Sequence, residues 1–103
     1  MRVEHDREPL SADDMWVVLC ADAREARRRL ESEVSALLAA CEPGFESRLP
    51  GLGTEEGARA LVAYVAPGGP DARRAEEEAI RRAGALLLQI DETLRLFEQK
   101  VRL

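Results

Sequence analysis

With 103 residues, a net charge of −5 and 46% hydrophobic content, the chain is one small domain with a modest core. Its longest apolar run, Met15 to Ala21, falls far short of the roughly 20 residues a membrane span needs, and its charged first eight residues lack the apolar stretch of a secretory leader. The acidic balance argues against a general nucleic-acid or anionic-membrane binder, and a cytoplasmic or otherwise intracellular place is expected.

Aromatic residues are few, β-branched runs are nearly absent, and Ala, Leu, Arg and Glu carry most of the sequence, which favours helix. Residues 1–10 are charged, close on Pro9-Leu10 and read as a flexible arm. Residues 11–103 then form a single helical domain. Ser11 stands three residues before Asp14, the spacing of a capping box, and opens a helix expected over 12–41 that Glu42-Pro43-Gly44 ends. Residues 42–53 hold two prolines and three glycines and read as a loop, packed through Phe45, Leu49 and Leu52. Thr54 followed by Glu55-Glu56 opens a short helix over 55–66, carrying Leu61, Val62 and Val65. Pro67-Gly68-Gly69-Pro70 breaks it, and Pro70 suits the first position of a third helix over 70–101. That helix starts acidic and ends basic, as its macrodipole favours. The expected fold is all-α: an antiparallel hairpin of two long helices with a short third helix in the connector, assembling into a larger helical bundle.

The apolar positions set the faces. The first helix reads Trp16, Leu19, Ala23, Ala26, Leu30, Val34, Leu37, Cys41, and the third reads Ala72, Ala75, Ala79, Ala83, Leu86, Ile90, Leu94, Phe97, Val101. Both recur every 3.6 residues or so, the period of one helical face. Two patches exceed one seam. Met15 to Ala21 is apolar on every side, and Leu88, Leu96 and Leu103 form a back face about 200° from Leu86. The short helix can cover one of these patches but hardly both, and contiguous exposed apolar surface marks an interface. Association is therefore expected to run through Met15, Trp16, Leu19 and Leu30 on the first helix. On the third it is expected to run through Leu86, Leu87, Leu88, Ile90, Leu94, Leu96, Phe97 and Leu103. The partner would be a second copy or another helical protein, with no nucleic acid and no membrane.

Arg27-Arg28-Arg29, Arg73-Arg74 and Arg81-Arg82 stand four residues from glutamates (Glu25–Arg29, Arg27–Glu31, Arg29–Glu33, Arg73–Glu77, Arg74–Glu78, Glu77–Arg81, Glu78–Arg82) and read as self-neutralising pairs on solvated faces. Cys20 and Cys41 are 21 residues apart on one helix, roughly 32 Å, too far for a disulfide, and read as reduced thiols. His5, the one histidine, lies in the arm, away from any nucleophile or bundle metal site. A magnesium site on Glu76, Glu77 and Glu78 would need a second acidic pair, for which Asp22 and Glu25 are the nearest candidates, both among arginines. Gly51-Leu52-Gly53 has neither the strand nor the lysine of a phosphate loop. No catalytic set, cofactor or metal site is expected. The expected function is a non-catalytic assembly or adaptor subunit working through apolar helix faces. The alternative is a small acidic inhibitor or immunity-type protein that presents the unpaired carboxylates of the arm and loop, Glu42, Glu46, Glu55 and Glu56 among them, to a basic surface.

Overall fold

The computed structural model describes residues 12–69 and 71–102. The arm with His5, the Ser11 cap, Pro70 and Leu103 lie outside the described residues. Helix α1 covers Ala12–Cys41, α2 covers Glu55–Val62 and α3 covers Arg74–Arg102, with no strand among the described residues. The two long helices pack against each other, antiparallel, and α2 lies along α3.

Helix α1 stops where the sequence breaks it. Glu42 N–H still bonds Leu38 O, but Pro43 follows, and Gly44 takes the left-handed φ of 90° that turns the chain away. A single 3-10 turn, Glu46–Arg48, then presses Phe45 edge-on to Tyr64 with ring centroids 4.8 Å apart. Arg48 lies 5.1 Å over the Phe45 ring and pairs with Glu42. Thr54 caps α2 by accepting the Gly57 N–H at 3.0 Å.

Helix α2 ends at Val62, four residues short of expectation. The tail leaves the helix because Tyr64 turns inward, where it is 1% exposed, and because α3 satisfies the backbone freed by doing so. Arg81 Nε donates to Tyr64 O at 2.7 Å, and Glu77 Oε2 accepts from Ala66 N at 2.8 Å. Helix α3 likewise starts at Arg74 rather than at 70. Gly68 and Gly69, both at left-handed φ, swing the chain round, residues 71–73 remain in turns, and Arg73 reaches back to Ala40 O.

The core sits at the connector end, where three helices meet: Val34, Leu38 and Cys41 from α1, Ala58 and Leu61 from α2, Ile80, Ala83 and Leu87 from α3. Gly84 lets α2 approach α3 closely. A Cβ there would stand 2.8 Å from Ala58 O, Leu61 Cβ and Val62 N.

The seam differs from the expected stripes. The buried positions of α1 are Cys20, Arg27, Val34 and Cys41, one every seven residues, with Leu38 beside them. In α3 they are Ile80, Ala83 and Leu87, while Leu86 is 43% exposed and Ala72 and Ala75 are exposed. Leu19 and Ala26 are exposed too. The expected stripes follow the mean direction of all apolar residues, which lies between this seam and a second apolar face beside it.

Arg27 is the main correction. It does not belong to a solvated face but is 7% exposed, its guanidinium inside the seam. It donates to both Asp91 oxygens (2.6 and 2.9 Å), to Glu31, and to Leu52 O at 2.9 Å. One side chain thus ties α1 to α3 and to the loop, and the Asp91 carboxylate holds its guanidinium more firmly protonated than usual. Of the other expected pairs, Glu25–Arg29 and Glu77–Arg81 form. Arg29–Glu33, Arg73–Glu77, Arg74–Glu78 and Glu78–Arg82 do not: Arg74 turns to Asp71, and Arg73 to the α1 backbone.

Candidate interaction surface

Helix α2 covers only one side of the hairpin. Leu88, one residue beyond the seam residue Leu87, packs half-buried against the core on the α2 side, and Arg95, on that same side, pairs with Glu55 of α2. Leu86 is one residue before Leu87, so at about 100° per residue it projects to the opposite side. On α1 the loop occupies the flank of Arg28, Glu31 and Ser35, with Ser35 Oγ donating to Glu46 at 2.6 Å. The opposite flank of α1 carries Met15, Leu19, Ala26, Leu30 and Leu37. It lies beside Ala79, Leu86, Ile90 and Phe97 of α3.

Those residues make one apolar face with no other helix over it among the described residues. Met15 is 52% exposed, Leu19 37% and Leu86 43%, while Leu30, Leu37, Ile90 and Phe97 are half-buried along its floor. Trp16 leans on Phe97 with ring centroids 5.4 Å apart, closing the seam at the open end. From Met15 to Leu37 the face spans about 33 Å of helix by about 20 Å across two rods, on the order of 700 Å². That is a little under the roughly 800 Å² each partner gives to a stable interface.

The expected interface residues divide accordingly. Met15, Trp16, Leu19, Leu30, Leu86, Ile90 and Phe97 lie on this face or its floor. Leu87 is fully buried in the seam and open to no partner. Leu88 is covered by α2 and is no part of a free back face. Leu96, 55% exposed, points away from both neighbours, and half-buried Leu94 stays within the seam. Leu103 lies outside the described residues. The expected interface residues left out Val17, Val18 and Val101, exposed at the open end. The signal for the two α1 valines was the all-round apolar run Met15 to Ala21, and for Val101 its place in the third-helix stripe. Beyond the reach of α2, Val17, Cys20, Arg24, Glu98 and Val101 line a depression of about 240 Å³ that the Arg24–Glu98 ion pair bridges at 2.9 Å.

Of the four loop acids expected to be unpaired, Glu56 is exposed without a partner among the described residues, and the other three are engaged. Glu42 pairs with Arg48 and accepts from Tyr64 Oη, Glu46 accepts from Ser35, and Glu55 pairs with Arg59 and Arg95. Among the helix acids, the Arg28 hydrogen bond and charge hold Glu25 below the usual carboxylate range. Arg27 faces Asp91 and Arg24 faces Glu98, so Asp22 and Glu25 lie at the open end while Glu76, Glu77 and Glu78 lie at the other, too far apart to share a cation. Among the described residues no three His, Cys, Asp or Glu groups are placed to hold a metal ion. Both cysteines are buried free thiols. No helix among the described residues is long and apolar enough to cross a membrane. No protein-family model, no curated protein and no solved structure matches the chain.

Proposed function

We propose that this chain is a non-catalytic interaction module, a small assembly or adaptor subunit that works by burying the face opposite α2 against helices of a partner. The observation that carries the reading is the one-sided placement of α2. It leaves Met15, Leu19 and Leu86 in water, each a third exposed or more, along a groove whose floor is Leu30, Ile90 and Phe97. Fully burying a Leu or Met side chain stabilises a complex by about 1.5–3 kcal/mol, so even the exposed fractions of these three supply a few kcal/mol at order of magnitude.

The test is molar mass by light scattering across a concentration series, on the parent and on Leu19→Glu/Leu86→Glu. Both substituted side chains reach solvent in the lone hairpin, so helicity by circular dichroism is retained. The parent is expected above its chain mass of 11.4 kDa, and the double variant at it. A parent that stays at 11.4 kDa into the hundreds of micromolar refutes self-association as its mode of action.

A further inference from the structure

Resting on that reading, we infer that the occupant of the face is a second copy of this chain, set by a two-fold axis parallel to the helices so that α1 of each copy lies over α3 of the other. The charges beside the face select this arrangement. Asp22 is three residues beyond Leu19 and four before Ala26, and Glu33 is three beyond Leu30 and four before Leu37, so both acids flank the apolar row of α1. On α3, Arg82 is three beyond Ala79 and four before Leu86, and Lys100 is three beyond Phe97. Arg29, three beyond Ala26, lies between the two acids but is paired with Glu25, so the unpaired charges of one rim are acidic and those of the other basic.

All four side chains are exposed, and none has an ion-pair partner among the described residues, although most charged neighbours on the same helices do. The registers agree as well. From the Arg27–Asp91 and Arg24–Glu98 pairs, Asp22 is level with residues 96–100 of α3 and Glu33 with residues 85–89. Laying α1 over the partner's α3 therefore puts Asp22 within a turn of Lys100 of the partner subunit and Glu33 one to two turns from the partner subunit's Arg82, a gap that the long arginine side chain can span. The alternative axis, perpendicular to the helices, lays α1 over α1 and acid over acid, which repels. The result is a closed four-helix bundle with both α2 helices outside.

Lys100 is the chain's one lysine, which makes the contact readable. Equal amounts of chain at natural isotope abundance and uniformly ¹⁵N-labelled chain are mixed and treated with a water-soluble carbodiimide, which activates a carboxylate for attack by an amine, forming an amide and leaving as a urea that has taken up the elements of water. Mass spectrometry is expected to find Lys100 joined to Asp22 in mixed-isotope pairs, the mark of a link between chains. In light scattering, Asp22→Lys and Lys100→Glu are each expected to weaken the dimer about tenfold, since each reversal acts twice across the two-fold axis. Their combination restores it. A dimer whose Lys100 links only to other carboxylates, or whose mass ignores both reversals, overturns this arrangement and leaves the interaction reading standing. A parent that remains at 11.4 kDa overturns the two-fold dimer and self-association with it.

Discussion

Removing Arg27 while leaving its partners in place tests the seam most directly. Arg27→Met keeps the stem, the approximate volume and the helix propensity, so the change isolates the guanidinium. Asp91 loses two charge-assisted hydrogen bonds, Glu31 loses one, and Leu52 O loses its donor. Deleting one member of a buried pair costs about 3–5 kcal/mol. The Asp91 and Glu31 side chains keep 20% and 28% of their exposure, so water reaches both once the guanidinium has gone, which places the loss near the lower end. The expected cost is about 3 kcal/mol, between a fifth and three-fifths of an ordinary domain's stability. In a thermal scan it is a drop of about 12–24 °C for a chain of this size. The assay is urea unfolding followed by circular dichroism at a fixed chain concentration, because association adds to apparent stability. Arg27→Met/Asp91→Leu removes the orphaned carboxylate as well and is expected to return to within about 1 kcal/mol of the parent. A loss under 1 kcal/mol for the single variant would mean that Arg27 is solvated, and the clamp described here would be wrong.

Two further outcomes are expected. Gly84→Ala, a change that stabilises an ordinary helix interior by up to about 1 kcal/mol, should here destabilise by about 1–2 kcal/mol in the same urea assay, because its Cβ meets the α2 backbone at 2.8 Å; stabilisation would show that α2 does not pack there. Burial, then hydrogen bonds to the Cys41 thiol and the Glu42 carboxylate, push Tyr64 well above its ordinary 10.0. The stability this provides is whole below pH 10 and is lost as pH climbs through the folded value. Absorbance at 295 nm should therefore show no phenolate from this lone tyrosine at pH 10–11 while the helices persist; a normal titration there would place Tyr64 in solvent.

Local signals located α1 to the residue: the Ser11–Asp14 spacing set its start, and Pro43 and Gly44 end it in sequence as they do in space. It failed where the deciding partner lies far along the chain. Nothing near Tyr64 announces that Arg81 will take its carbonyl and Glu77 the Ala66 N–H, so α2 read four residues too long. Arg27 followed the same logic. Its i,i+4 glutamate is real, but Asp91, 64 residues away, is what makes it a seam residue. With an arginine in the buried heptad, the pattern Cys20, Arg27, Val34, Cys41 was invisible to a hydrophobic count. The surplus of apolar surface was legible from the start. Its direction was not, since only the position of α2 separates a covered flank, with Leu88, from an open one, with Leu86.

That one-sidedness also bears on how far assembly can go. A two-helix hairpin apolar on both flanks would accept a neighbour on each, and each neighbour another, growing into a filament without end. Here α2, held against Gly84, occupies one flank from within the same chain, and its outward residues Glu56 and Arg59 face water. In the proposed two-fold dimer the short helix would thus act as a built-in stop, with particle size limited by the fold rather than by the supply of chain.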